Sequence, residues 1–417
     1  MKSINVNHVI LLSRYCLAII LISTLFVSPG CKKDSADEKP ANEVLISYQK
    51  ILIYQAESIK QQLGIWMASY PDAVAIINNT AYGVDVYKIT YKSTYKGEPV
   101  TASGLVCLPQ SQESFPIVSF QNGTNTQKSN CPSVNPTNTY YALIEYMAGN
   151  GYIITIPDYI GFGASAQHLH PYYEKETTDR AVIDMIRACQ ELLGENDISA
   201  KSNGEHLLMG YSQGGWATLS ALKNIEANHK TTIPVKATSC GAGAYDMMVM
   251  SSYVLGKQVF PGPLYLPYFI YSQQLFGAHS DPPGKFFREP YATRIPQLFN
   301  GNYSNSQVDD QLNDTIPRLL TSAMISGFNS GADYANLRSL LVKNSVTAWA
   351  PTSKINFYHG SADLNVPPEQ SQLIYNSFVN LGVGPDKIQL ISLPGNDHES
   401  GLLPWGIKTI NWFNGLK

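Results

Sequence analysis

Several absences narrow the reading before any motif is considered. Basic residues form no block: 29 lysines and arginines against 32 aspartates and glutamates are spread along the 417 residues for a net charge of −3. Nothing therefore suggests a nucleic-acid surface. No CxxC pair and no cysteine–histidine cluster is present, which argues against a metal site. Charged residues make up only 15% of the chain while 44% is hydrophobic, so it is not disordered and can bury a large core. The apolar run near its start, Tyr15–Val27, is 13 residues long, short of the roughly 20 that a membrane-spanning helix needs.

That short run has its own meaning. Lys2, His8 and Arg14 precede it, and Ser28-Pro29-Gly30 follows it directly before Cys31. Residues 1–30 read as a signal peptide, and residues 31–41 as a polar, charged tether. A small residue placed just before a cysteine at the end of such a run resembles the lipobox of bacterial lipoproteins, although Ser28 stands where that motif usually has leucine. The resemblance implies that Cys31 carries a lipid and anchors the exported chain to a membrane. Export makes the remaining cysteines relevant: Cys107, Cys131, Cys189 and Cys240 allow three pairings, or none.

Residues 42 to about 70 have apolar positions at helical spacing, predicting one or two helices. Val84–Tyr91 alternates with period two, and Val100–Pro109 follows after Lys96-Gly97-Glu98-Pro99, predicting an antiparallel pair. From Phe115 onward, short apolar strands alternate with helices: strand Phe115–Phe120, helix Tyr140–Ala148, strand Tyr152–Ile156, helix Thr177–Leu193, strand Leu207–Met209, helix Gly214–Asn228 and strand Val235–Cys240. This pattern predicts a mostly parallel sheet with helices on both faces. Residues 246–350 break it with about a hundred residues rich in Tyr, Phe, Pro and Met, read as a cap inserted in a catalytic domain of residues 42–245 and 351–417. The alternation resumes with strand Ile355–Tyr358, helix Pro368–Leu381, strand Lys387–Leu393 and a helix near Leu402–Phe413.

Gly210-Tyr211-Ser212-Gln213-Gly214 stands between a strand and a helix. A turn this sharp crowds the residues two before and two after the serine, so those are glycines, and Ser212 is lifted clear at a helix N-terminus. Such a serine is a poor nucleophile until an imidazole takes its proton, and the imidazole needs a carboxylate to hold its tautomer. The chain order serine, acid, histidine points to Asp363 after strand Ile355–Tyr358 and to His398 after the last strand. Of the competitors, His359 would pin its own loop, Asp397 is poorly placed to reach the far ring nitrogen, and Asp158, Asp184 and Asp246 read as structural. The oxyanion donors would be the Gln213 amide and one amide of the Asn122-Gly123-Thr124 loop. Gly161-Phe162-Gly163-Ala164-Ser165-Ala166 matches a dinucleotide fingerprint, but His168-Leu169-His170-Pro171 follows instead of a helix, so it is a loop.

Taken together, YGVDVYKITYKS, GEPVTASGLVCLP, IPDYIGFG, HPYYEKETTDRAVIDMIRA, GYSQGGWATL, HGSADLNVP and DHE resemble the secretory lipases, the lipase-A-like branch of the α/β-hydrolases. The resemblance covers about Tyr82 to the C-terminus. It implies an α/β-hydrolase fold, carboxylic ester hydrolysis through Ser212, Asp363 and His398, a cap over the site and no cofactor. Prolyl-oligopeptidase-like peptidases share the elbow and the HGSxDxxVP element but normally carry a large extra domain. A peptidase or acyltransferase with the same triad, and a tethered binding protein on an inactive scaffold, are the alternatives. Met247, Met248 and Phe269 of the insert are the candidate substrate-pocket residues, because so apolar a segment cannot all face water.

Overall fold

Strands Leu45–Tyr54 (β1), Val84–Tyr95 (β2), Glu98–Pro109 (β3), Ser114–Gln121 (β4), Ile153–Pro157 (β5), Lys201–Tyr211 (β6), Val235–Gly241 (β7), Lys354–Gly360 (β8) and Ile388–Leu393 (β9) form one sheet. Its order is β1-β2-β3-β5-β4-β6-β7-β8-β9. The computed structural model describes residues 42–417, which form one unit. The segments expected to be a signal peptide and a tether, with Cys31, lie outside the described residues.

The three leading strands are antiparallel to their neighbours, and β5, β4, β6, β7, β8 and β9 run parallel. The β2–β3 hairpin, which pairs Tyr95 with Glu98, and the parallel strands match the pattern expected from the sequence. Parallel strands covered on both faces bury side chains of both alternations along their central stretches. In β6, Leu208 faces one core while Leu207 and Met209 face the other.

Helices Lys175–Leu192 and Gln213–Asn228 cover the first face, burying Met185, Ile186, Trp216 and Leu219 against Leu208. The second face is covered by Ala56–Trp66 (α1), Val74–Asn79 (α2), Thr139–Glu145 (α3) and the last helix, Leu402–Asn414. They bury Ile59, Ile76 and Phe413 with Val118, Leu207 and Met209. With the intervening elements counted, Lys175–Leu192 is α4 and Gln213–Asn228 is α5.

One expectation fails. The stretch 42–70 begins with a strand, and only its second half is helical. β1 pairs antiparallel with the edge of β2, Tyr48 opposite Ile89 and Ile53 opposite Asp85. Leu45, Ile46, Tyr48, Ile51, Leu52, Ile53 and Tyr54 suit a strand as well as a helix, so periodicity alone could not decide, and the open edge of β2 does. Glu191 of α4 fixes where the strand starts, its carboxylate accepting from the amides of Val44 and Leu45 at 3.0 and 2.6 Å.

Between β7 and β8 the chain runs through Met247–Leu255 (α6), Tyr265–Phe276 (α7), Tyr291–Leu298 (α8), Asn305–Asp309 (α9), Ile316–Leu319 (α10), Ser322–Gly327 (α11) and Ala335–Asn344 (α12). Their apolar residues do not form a core of their own: Phe260, Phe269, Phe286, Phe299 and Leu320 are buried and continuous with the first-face core. Helix Glu369–Asn380 (α13) separates β8 from β9, and Leu402–Asn414 is α14. Cys107, Cys131, Cys189 and Cys240 are all buried free thiols, so none of the three pairings forms.

Candidate active site

Ser212 occupies the one-residue turn between β6 and α5 with φ +60° and ψ −123°. This conformation is rare for a residue with a side chain and costs on the order of 1–3 kcal/mol. Its neighbours must be glycine for steric reasons that the structure makes explicit. A Cβ on Gly210 would lie 2.3 Å from the Gly214 carbonyl oxygen, and one on Gly214 would lie 2.0 Å from that of Gln121. The turn is held by the Ser212 amide donating to the Gly241 carbonyl at 2.9 Å, which couples it to β7.

The loops after β8 and β9 bring the other two predicted residues to the serine. Ser212 Oγ lies 2.9 Å from His398 Nε2, and His398 Nδ1 lies 2.6 Å from Asp363 Oδ2. Asp363 is buried and His398 nearly so. The other carboxylate oxygen, Oδ1, accepts from the amides of Asn365 and Val366 at 2.9 and 2.8 Å. Burial pushes the Asp363 carboxyl upward, but hydrogen bonds from His359, His398 and the Val366 amide, with the charge of His398, outweigh it and hold it at about 2. An ionised carboxylate at Nδ1 keeps the proton on that nitrogen and leaves Nε2 free to accept. On the outer side of the histidine, Tyr211 donates its hydroxyl to the His398 carbonyl at 2.8 Å.

The competing residues have other occupations. His359 lies between Ser371 Oγ (2.7 Å) and the Val366 carbonyl (2.8 Å), bracing the Asp363 loop. Asp397 is exposed and ties the turn, accepting from the amide and hydroxyl of Ser400 at 2.8 and 2.6 Å. Asp158 is buried and accepts from Ser103 and Ser133. Asp246 caps α6 through the amides of Met248 and Val249, and Asp184 pairs with Arg187 at 3.9 Å.

Gln213 is the first residue of α5, so its amide has no acceptor within the helix. The loop after β4 lies against the elbow, since a Cβ on Gly214 would also approach the Asn122 carbonyl at 2.9 Å. Asn122 Nδ2 donates to the Pro157 carbonyl at 2.7 Å, the Gly123 amide faces the Tyr140 hydroxyl, and Thr124 Oγ1 bonds the Tyr172 hydroxyl at 2.8 Å.

An apolar slot of about 50 Å³ opens from Ser212. It is therefore narrow. Met247 and Phe269 of the insert are among the side chains that line it. Met248 is not; it is half-buried and packs on the core instead. The sequence reading missed Tyr172, Tyr173, Val254, Leu341 and Val366, which come to the slot from separate segments and carry no local signal. Among the described residues, no three His, Cys, Asp or Glu side chains gather so as to hold a metal ion.

Residues 133–244, which include the elbow, match the sequence profile of the family described as secretory lipase. No curated protein matches the chain in sequence. Among solved structures it is similar to a candidate hydrolase from Legionella pneumophila, with 25% identity and a TM-score of 0.78, covering 89% of this chain and 98% of that one. The rice cell wall degrading esterase LipA from Xanthomonas oryzae, in a ligand-bound form, is 24% identical with a TM-score of 0.76 over 89% and 97% of the two chains. Candida antarctica lipase A in its closed state is 17% identical with a TM-score of 0.64 over 90% and 83%. The fold is that of the α/β-hydrolases. With that fold, the secretory-lipase match across the elbow supports a carboxylic ester hydrolase and agrees with export.

Proposed function

We propose that this chain, whose elbow segment matches the secretory lipases, hydrolyses carboxylic esters through an acyl-enzyme on Ser212. His398 Nε2 takes the hydroxyl proton as Ser212 Oγ attacks the ester carbonyl, and Asp363 steadies the imidazolium through Nδ1. The oxygen of the tetrahedral intermediate faces the Gln213 amide and an amide of the Asn122–Thr124 loop. Collapse breaks the ester C–O bond, the proton passes from His398 to the departing alcohol, and a water repeats the sequence to release the acid. The observation that carries this reading is the unbroken relay of 2.9 and 2.6 Å from Ser212 through His398 to Asp363, beneath an apolar slot.

On this reading residues 246–350 are a cap. Its helices α6 and α7 supply Met247 and Phe269 to the wall that receives the acyl or alcohol group. A narrow apolar slot suits an ester's hydrocarbon chain better than a polypeptide, which favours the ester over the amide reaction. Cys31 is the proposed lipid anchor; no helix among the described residues is long and apolar enough to cross a membrane. The test is a panel of p-nitrophenyl esters beside the matching anilides, run on the protein and on Ser212→Ala. Turnover of esters that vanishes in Ser212→Ala is the expected result. Near-native ester turnover in that variant would refute the assignment.

A further inference from the structure

Behind the elbow is a histidine that the proton relay does not use. His170 is buried on the loop after β5, in the segment His168–Pro171 that breaks the dinucleotide-like pattern. Its Nδ1 lies 2.9 Å from the Ile160 carbonyl oxygen and its Nε2 lies 2.9 Å from Gln213 Nε2. A carbonyl can only accept, so Nδ1 carries the proton; burial, only partly countered by the Ile160 carbonyl, holds the ring's pKa down at about 4 and keeps it neutral. Nε2 is then an acceptor, and the Gln213 carboxamide must present its NH2 to it. One tautomer and one rotamer satisfy both contacts.

Gln213 is also the residue whose amide is the first oxyanion donor, and its side chain is buried with no freedom to find water. The His170 ring stacks on Tyr159, with centroids 5.6 Å apart and planes 10° from parallel. Tyr159 in turn donates its hydroxyl to the Asn122 carbonyl at 3.2 Å. A single aromatic pair thus holds a group on each of the two segments from which the oxyanion donors come. Gly161 allows the loop to close on the histidine: a Cβ there would lie 2.3 Å from the His170 amide nitrogen.

We propose that His170 is a positioning residue for the oxyanion site, setting the direction of the Gln213 amide through the Gln213 side chain. The inference rests on the ester-hydrolase reading and deepens it. Removing an oxyanion donor costs about 10²- to 10³-fold in kcat, and a donor that is tilted rather than removed should lose less, about tenfold. The loss should fall on kcat and not on KM, because the oxyanion exists only past the ground state.

The experiment uses His170→Phe, which keeps a ring against Tyr159 but has no nitrogen, and Gln213→Met, which removes the same hydrogen bond from the other side. Serines competent to react are counted with a fluorophosphonate, so that misfolded protein does not enter kcat. The expected result is a fall of about tenfold in kcat per titrated serine with KM within twofold, and a matching rise in the inhibition constant of an alkyl boronic acid. The double variant should be no worse than the poorer single one. Either variant that folds decides alone. A kcat per titrated serine within twofold of the native value, or equal losses in kcat and in substrate affinity, overturns the inference. If Ser212→Ala abolishes turnover while His170→Phe leaves it unchanged, the reaction stands and only the role of His170 falls; full activity in Ser212→Ala removes both.

Discussion

Replacing Asp363 by asparagine exchanges one oxygen for NH2, and the surrounding hydrogen bonds dictate which. Oδ1 accepts two amides, those of Asn365 and Val366; an NH2 group there would set donor against donor twice. The asparagine oxygen therefore stays on that side and its NH2 turns to His398 Nδ1. That nitrogen must then become the acceptor, the ring proton moves to Nε2, and Nε2 can no longer accept from Ser212 Oγ. Chemistry stops for want of a base while shape is retained. The expected loss is on the order of 10⁴-fold in kcat, the size seen when a triad aspartate becomes asparagine, or about 5.5 kcal/mol of barrier. The assay is kcat on a short p-nitrophenyl ester, normalised to folded protein, with KM followed in parallel. Asp397→Asn is the control, and because Asp397 only ties an exposed turn through Ser400, its kcat should stay within a few-fold of native. Less than a tenfold loss in Asp363→Asn, or a larger loss in Asp397→Asn, would refute the reasoning.

Further outcomes follow from the same structure. Glu145 is fully buried, and burial, only partly countered by the Tyr54 hydroxyl, raises its carboxyl to about 7. The folded protein therefore keeps a proton that an unfolded glutamate releases near about 4.3, so this group's contribution to stability falls as pH rises from there to 7. Glu145→Gln should melt higher than the native protein at pH 8 and alike at pH 4, and an equal offset at both would sink the idea. Met247→Ala and Phe269→Ala should shift the preferred chain length across a C2-to-C12 ester series more than they change acetate turnover. If the melting point falls by an amount matching about 2–5 kcal/mol while the chain-length profile is unmoved, these side chains serve only the core. Cys31→Ser should release the protein from membranes in a lipoprotein-processing host, measured by fractionation; unchanged partitioning would argue against the lipid anchor.

The elbow was legible because backbone geometry at Ser212 permits so few residue types nearby. At Gly210 and Gly214 any Cβ would meet a carbonyl oxygen at 2.3 Å or less, so the sequence carries the steric requirement directly. Asp363 and His398 were legible for a different reason. They follow strands β8 and β9, and a parallel sheet delivers the loops after its strands to one edge, where Ser212 also emerges. Strand β1 was not legible. Its apolar residues fit either period, and what selects the strand is an edge of β2 that lies thirty-odd residues away in the chain, tied by Glu191 much further on.

The slot shows where such reading stops. Phe269 and Met247 could be guessed from an apolar insert, yet Met248, adjacent and chemically identical to Met247, turns to the core instead. On a helix, neighbouring residues point about 100° apart, so the identity of the lining depends on the rotation of α6 against the rest of the protein. That rotation is set by contacts from elsewhere: Asp246 caps the helix while its own amide donates to Gln370 of α13, and the Met247 amide donates to Ser345 after α12. The same holds for His170, whose partner Gln213 is 43 residues away. Residues that a turn demands announce themselves locally, whereas residues that converge on a substrate do so only once distant segments have fixed the angle of the element that carries them.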